Sequence, residues 1–234
     1  MANQHGKKHK AALAALGNAS ILPITEVFKK VKELAYAKFD ESVDVHVNLG
    51  IDPSKGDQSV RGSLLLPHGL GKKPRIIAFA KGEYAEQAEK AGADLVGAED
   101  LIEKISAGWM EFDFAVATPD LMGKVGQLAK LLGPRGLLPN KKVGTVTFEV
   151  AAIIKELMQG RVFFKNDKSG LIHFRCGKVS FEASKLQDNF VAFFKALAAS
   201  KPSSSKGQFI LKITLASSMG VGIPVNVGEV LRTF

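Results

Sequence analysis

Three short stretches of the sequence bring together residue types that suit contact with RNA. The first, SSMG at residues 217–220, places an apolar methionine among hydroxyls and a glycine, directly after a strand pattern. A flexible, polarizable methionine can pack on a sugar or a base, and a glycine lets the backbone approach a ligand closely. From the residues alone, we favour the alternative that Met219 is buried beside a turn.

The other two stretches are the end of a predicted helix, AYAKFDES, and a predicted turn, KNDKSG. In AYAKFDES, an exposed Phe39 beside Lys38 would suit stacking on a base, although a phenylalanine at a helix end is usually a core residue. In the turn, Asp167 could accept a hydrogen bond from a ribose 2′-hydroxyl, which distinguishes RNA from DNA. Turn formation alone would also explain Asn166, Asp167 and Gly170.

The charge balance of the chain also favours a polyanionic partner. The 234 residues include 32 Lys and Arg against 23 Asp and Glu, which gives a net charge of +9. Such an excess favours nucleic acid or an anionic membrane surface. The sequence contains no uninterrupted run of 18 apolar residues, which is about the length needed to span a membrane. Cys176 is the only cysteine. We therefore expect a cytoplasmic protein without a disulfide or a membrane partner.

Sequence patterns of catalysis are missing or weak. A central block alternates strands and helices as nucleotide-binding folds do, but it contains neither G-x-G-x-x-G nor G-x-x-x-x-G-K-[ST]. Asp120 is better explained as the start of a helix than as a catalytic carboxylate. We expect no catalytic residue, no metal and no cofactor. The alternative is a nucleotide-dependent enzyme that uses the central block.

Hydrophobic periodicity predicts the elements that position these residues. EVFKKVKELAYAKF has apolar residues at helical spacing, and SVDVHVNLGI alternates like a strand with one buried face. A hairpin, a second amphipathic helix and a last strand, QFILKITLA, follow in the final third of the chain. Between these regions, continuously apolar runs alternate with helical patterns, which is typical of parallel βαβ units.

These patterns predict a two-domain α+β protein with a discontinuous first domain. Each terminal region alone would have a marginal core, so we expect residues 1–67 and 160–234 to form one α+β domain. Two helices would cover one face of its antiparallel sheet. Residues 68–159 would form an inserted α/β domain. Three small domains in series are the alternative.

The uncovered face of the first domain's sheet would be open, polar and partly basic. It would carry Asp44, His46, His173, Arg175, Lys212 and Thr214. With the basic excess of the chain, such a face favours a nucleic-acid platform. An ordinary solvated sheet face is the alternative.

Several stretches resemble the large-subunit ribosomal protein one family, the protein of the ribosome's mobile lateral stalk. GQLAKLLGPRGLLPN at residues 126–140 is similar to the signature of that family. AKFDESVDVHVNLGID, VRGSLLLPHGLGK, GADLVG, FKNDKSG and SSMG occur in the family's order and spacing. The resemblance covers nearly the whole chain.

The resemblance implies a Rossmann-like domain inserted into an RNA-binding domain that is built from both termini. It implies binding to a structured site on large-subunit (23S) ribosomal RNA and help in releasing deacylated tRNA from the exit site. It also implies repression of the protein's own operon, through a messenger RNA site that mimics the ribosomal one. We expect a ribosome-associated protein that is monomeric when free.

The resemblance also implies the RNA-binding residues. The family's RNA-contacting phenylalanine matches Phe39, its Asp-Lys-x-Gly turn matches residues 167–170, and its Thr-Met-Gly triplet matches residues 218–220. Ser218 replaces the family's threonine, and Val221 replaces the proline that follows the glycine. The predicted RNA-binding residues are Lys38, Phe39, Ser42, Asp44, Asp167, Lys168, Gly170, Ser217, Ser218, Met219 and Gly220.

The signature stretch lies in the central domain, apart from these residues. Its Arg135 could contact ribosomal RNA or tRNA. It could equally belong to a glycine–proline loop that packs the inserted domain against its neighbour. We favour the structural role.

Overall fold

A computed structural model describes residues 6–17, 21–205 and 207–232 of the chain. The described residues fall into two compact units. The first unit comprises those of Met1–Gly71 and Phe163–Phe234, and the second unit is Lys72–Val162. The first unit thus ends at Gly71 rather than at residue 67, and it resumes at Phe163 rather than at residue 160. The mixture of helices and sheets confirms the predicted α+β class.

Helices and strands alternate along the described part of the chain. The helices are α1 (Lys7–Leu16), α2 (Ile24–Leu34), α3 (Glu83–Lys90), α4 (Glu99–Ser106), α5 (Met122–Val125), α6 (Ala129–Leu132), α7 (Val150–Gln159), α8 (Ala183–Ala199) and α9 (Val227–Arg232). The strands are β1 (Ser42–Leu49), β2 (Arg61–Leu65), β3 (Ile76–Phe79), β4 (Leu95–Gly97), β5 (Phe114–Ala117), β6 (Arg161–Lys165), β7 (Leu171–Lys178), β8 (Ile210–Ser217) and β9 (Ile223–Val225). Short 3₁₀ turns lie at Gly56–Gln58, Pro119–Leu121, Gly126–Leu128 and Lys141–Val143.

The first unit is built on an antiparallel sheet of order β7-β1-β8-β9. Alternate residues of β1 (Val43, Val45 and Val47) are fully buried, as the alternation of the sequence predicts. Helices α2 and α8 pack on this face and supply aromatic side chains to the core. The ring of Phe193 in α8 stacks on Phe174 of β7 with ring centroids 4.0 Å apart. Strands β2 and β6 form a separate two-stranded sheet.

The opposite face of the four-stranded sheet is open. On this face the register places His46 beside His173 and Thr214, and Asp44 beside Arg175. These side chains are half-buried or exposed, as is Lys212. The structure therefore confirms the predicted open, polar face.

The second unit contains a parallel sheet of order β4-β3-β5. Its central strand β3 is buried along its whole length, as its continuously apolar sequence predicts. Helices α3 and α7 pack beside the sheet, and Leu128 and Leu132 join Phe79 and Ile105 in one hydrophobic core.

The glycine–proline loop of the signature stretch is exposed but is followed by leucines that pack against the core of the second unit. Leu137 and Leu138 pack against that core. A side chain at Gly133 would place its Cβ 2.5 Å from the carbonyl oxygen of Ala129, and Gly136 has a φ of +72°. Both glycines and both leucines thus have a structural role, whereas the side chain of Arg135 is exposed.

Candidate nucleic-acid interface

The start of β1 and the end of β8 bring two loops together at one end of the open sheet. We call residues 36–41 and 217–220 the loop cluster. The backbone N–H of Ser218 donates to the carbonyl oxygen of Ser42 at 3.0 Å, and the N–H of Ser42 donates to Ser218 Oγ at 3.0 Å. The two loops are therefore held in register by reciprocal hydrogen bonds.

A buried carboxylate at the centre of the loop cluster ties both loops to one point. Glu41 is only 2% exposed. It accepts hydrogen bonds from the backbone N–H of Ala37 at 2.8 Å and from that of Met219 at 3.0 Å. Burial alone would raise the pKa of Glu41, but hydrogen bonds from Ser217 and from these N–H groups hold the pKa below its ordinary value. The carboxylate thus stays charged and fixes both loops.

The loop cluster presents two large apolar side chains to solvent. Phe39 is 58% exposed and Met219 is 54% exposed, so neither is the core residue that the alternative interpretations required. Lys38 beside Phe39 is also exposed. The hydroxyl of Tyr36 donates to the carbonyl oxygen of Met219 at 2.5 Å, which adds a further restraint on the methionine loop. An exposed aromatic ring, a thioether and an ammonium group on fixed backbone suit RNA bases and sugars.

Three other residues of the predicted set serve the protein itself at this end of the sheet. Ser42 and Ser217 are buried. A Cβ at Gly220 would lie 2.3 Å from Ser217 Oγ, and the N–H of Gly220 donates to the carbonyl oxygen of Ser217. The turn on Ser217 by itself favours glycine at this position, and a role of Gly220 in close approach of RNA stays a prediction.

The predicted RNA-binding turn lies at the other end of the sheet. We call residues 166–170 the turn cluster. Asp167 Oδ1 accepts hydrogen bonds from the N–H groups of Ser169 and Leu171, both at 2.8 Å. The bond from Leu171 is the main reason why the pKa of Asp167 lies below its ordinary value. Gly170 is buried with a φ of +77°, whereas Lys168 is exposed.

The turn cluster is therefore remote from the loop cluster. The carbonyl oxygen of Gly170 accepts the N–H of Leu49, the last residue of β1, whereas the loop cluster contacts Ser42, the first residue. Seven residue intervals of extended strand separate these two positions by about 23 Å. The predicted set is thus not one pocket. It forms the two ends of an elongated surface.

The open sheet face between the two clusters is partly neutralised by its own contacts. Arg175 Nε lies 3.4 Å from Asp44 Oδ1. His46 Nδ1 and His173 Nδ1 are 2.7 Å apart, and His173 Nε2 lies 3.8 Å from Asp167 Oδ2. Burial, followed by the neighbouring His173, lowers the pKa of His46. Asp44, a predicted RNA-binding residue, is thus engaged with Arg175.

Other chemistry finds little support in the described ranges of the chain. Within them, no group of three His, Cys, Asp or Glu side chains is placed to hold a metal ion. No helix among those residues is long and apolar enough to cross a membrane. Cys176 is buried, its Sγ donates to the carbonyl oxygen of Leu186, and burial raises its pKa. This thiol therefore has a structural role.

Sequence reasoning missed Glu41, the residue that organises the loop cluster. The sequence shows two adjacent acids, of which Asp40 is exposed and Glu41 is buried. A carboxylate inside a predicted basic RNA-binding loop was the available signal, since an acid there repels phosphate unless it is needed for structure.

Comparisons with known proteins identify the family of the chain. The sequence pattern of the Ribosomal protein L1p/L10e family matches residues 31–221. The chain is similar to two proteins named Large ribosomal subunit protein uL1, from two strains of Thermus thermophilus, with 52% and 53% identity over 224 residues. Each alignment covers 95% of this chain and 98% of the relative. The resemblance noted in the sequence is thereby confirmed, and the chain belongs to the ribosomal protein L1p/L10e family.

Proposed function

We propose that the chain is a component of the large ribosomal subunit that binds large-subunit (23S) ribosomal RNA at the mobile lateral stalk. The observation that carries this proposal is the loop cluster, in which Phe39 and Met219 are exposed on loops fixed by the buried Glu41. Membership of a ribosomal protein family confirms that the chain is not an enzyme and supports a ribosome-associated, cytoplasmic location. The alternative of a nucleotide-dependent enzyme finds no support.

The distribution of charge supports RNA binding by the first unit. The sequence of this unit has 19 Lys and Arg against 11 Asp and Glu, a net charge of +8. The second unit has 13 against 12, a net charge of +1. Nearly all of the excess of +9 therefore belongs to the first unit, and this excess attracts the phosphate backbone of RNA to that unit.

The two clusters divide the proposed contact into different tasks. Phe39 and Met219 pack on bases or riboses, while Lys38 and Lys168 contact phosphates at the two ends of the surface. Because Glu41 fixes the loops before RNA arrives, little conformational entropy is lost on binding. Recognition of this kind depends on the shape of a folded RNA over about 23 Å, the length of β1.

The finer functions belong to the same proposal. We assign release of deacylated tRNA from the exit site to the stalk-bound protein, and repression of its own operon to the same RNA surface. The parallel sheet of the second unit, with its packed helices, supports a Rossmann-like inserted domain. Repression and ribosome assembly then compete, since one surface of a monomer binds either RNA. The operon messenger and a stalk RNA fragment should displace each other.

The test is equilibrium binding of full-length protein to a lateral-stalk RNA fragment. Replacing both Phe39 and Met219 by alanine should weaken binding by at least about 10-fold, since each buried contact contributes about 1–3 kcal/mol. Leu65→Ala is the matched control, because Leu65 is an apolar side chain of the first unit with 50% exposure. Wild-type affinity in the double variant, or an equal loss in the control, would reject the proposed contact.

A further inference from the structure

The second unit contains a basic segment that the RNA contact of the first unit does not use. Residues 121–148 include five Lys and Arg and no Asp or Glu, whereas the rest of this unit has eight Lys and Arg against twelve acids. The unit as a whole is nearly neutral, so its charge is strongly segregated along the chain. Such segregation is typical of a surface that binds a charged partner.

Three cations of this segment are exposed and uncompensated. Lys130, Arg135 and Lys141 are exposed, and none has an ion pair within 4 Å among the described residues. Lys124 behaves differently. With Lys81 it contacts Glu99, and hydrogen bonds from Lys124 and then Lys81 lower the pKa of that carboxyl group to about 2. Positive charge therefore remains available at Lys130, Arg135 and Lys141.

Lys130 is presented by a helical stretch with one buried stripe. From Pro119 to Leu132 the 3₁₀ turns and short helices α5 and α6 follow one another without a break. Val125, Leu128 and Leu132 are fully or nearly fully buried. Lys130 lies two residues from both Leu128 and Leu132, which places it on the opposite, solvent-facing side of the helix.

Arg135 is presented by a rigid helix end. The N–H of Leu137 donates to the carbonyl oxygen of Leu132 at 3.1 Å, and the N–H of Gly136 donates to the carbonyl oxygen of Gly133 at 3.0 Å. With the left-handed Gly136, these two bonds form a Schellman motif that closes the helix. The backbone of Arg135 is thus fixed from both sides, while its guanidinium group has no structural task among the described residues.

The backbone at Lys141 is also fixed, here by hydrogen bonds that lead to the sheet of the second unit. It begins a 3₁₀ turn that follows Asn140, whose N–H donates to Thr145 Oγ1 at 2.8 Å. The carbonyl oxygen of Thr145 in turn accepts the N–H of Ala117, the last residue of β5. The turn is therefore anchored to the sheet.

We propose that Lys130, Arg135 and Lys141 form a second RNA contact, which binds phosphate groups of an RNA helix. Lys and Arg on fixed backbone are the residues that bind RNA phosphates, and the rest of the unit, with twelve acids against eight Lys and Arg, attracts RNA less. The contact does not involve Phe39 or Met219. It goes beyond the proposed function of the first unit and can fail independently of it.

The test compares full-length proteins in RNA binding between 50 and 200 mM salt. The variant carries Lys130→Gln, Arg135→Gln and Lys141→Gln. Its control carries Lys90→Gln, Lys104→Gln and Lys155→Gln, which remove the same charge from exposed positions of the second unit outside the segment. The probes are a lateral-stalk RNA fragment, an unrelated RNA hairpin and poly-glutamate.

Loss of three phosphate contacts should reduce the slope of log affinity against log salt by about 2 to 3. Raising the salt from 50 to 200 mM should then weaken binding of the triple variant by a factor about 20-fold to 40-fold smaller than it weakens binding of the wild type. The control variant should keep the wild-type slope. If the slope changes with the stalk fragment alone, the second contact binds the same RNA as the first unit. If the slope changes with the hairpin as well, the second contact can bind a separate RNA.

Several results would overturn the second contact. These are an unchanged slope with both RNAs, an equal change in the control variant, or a change with poly-glutamate alone. The same measurement in a Phe39→Ala, Met219→Ala background separates the two proposals. There the slope change of the triple variant should persist even though overall affinity is lower.

Discussion

The two units bury their sheets to different extents and differ in net charge. In the first unit one face of an antiparallel sheet stays open, and the sequence segments around it carry a net charge of +8. In the second unit the central strand is buried on both sides, and the net charge is only +1. An apolar core stabilises each unit, whereas the open sheet and the basic excess of the first unit support the proposal that this unit makes the main RNA contact.

Core truncation in each unit should separate fold from binding most strongly. Phe193 and Phe79 are each fully buried, one in each unit. Replacement of either by alanine should destabilise its own unit by about 3–5 kcal/mol. Stalk RNA affinity should fall far more for Phe193→Ala than for Phe79→Ala. Urea unfolding and RNA binding on the same samples would measure both effects, and equal losses of affinity would remove the functional contrast between the units.

Removal of the buried carboxylate should have the next largest effect. Glu41→Ala leaves the N–H groups of Ala37 and Met219 without their acceptor, and each unsatisfied group costs about 1–3 kcal/mol. Both the stability of the first unit and its RNA affinity should fall, while the second unit keeps its stability. Glu41→Gln retains a side-chain acceptor and should lose less. Full RNA affinity in Glu41→Ala would show that the loops do not need this anchor.

Mild acid should produce the smallest difference between the units. All five histidines belong to the first unit, and the pKa of His46 is lowered by burial and by His173. The unfolded chain therefore binds more protons than the folded one below the ordinary histidine pKa of 6.5. Stability should fall as pH drops below that value.

Thermal unfolding between pH 7.5 and 5.5 would measure this loss. His46→Gln should reduce the loss, and the second unit, which has no histidine, should show none in this range. An unchanged pH dependence in His46→Gln would assign the effect to other groups.

Much of the architecture was predictable because it depends on local patterns. The alternation of Val43, Val45 and Val47 predicted the buried face of β1, and the polar residues between them predicted the open face. The exposure of Met219 and Phe39 also agrees with the sequence-based hypothesis. The two faces of β1 follow from residue type and spacing within a few positions, whereas the exposure of Met219 and Phe39 was expected from the family resemblance.

The organisation of the site was less predictable because it depends on distant pairing. The 23 Å separation of the two clusters, roughly the length of β1, follows from the register of β1 with β7 and β8, segments more than 120 residues away. The roles of Asp40 and Glu41 differ only through burial, which two adjacent acids do not reveal. Gly220 lies close to the side chain of Ser217, and only coordinates show such a contact.

Hydrogen exchange of the full-length protein with and without a stalk RNA fragment tests the elongated surface most directly. RNA should slow exchange in residues 36–42 and 217–220 at one end and in residues 167–171 at the other, while the amides of β3 and β5 in the second unit remain unchanged. Protection at one end of β1 only, or in the second unit alone, would contradict the account.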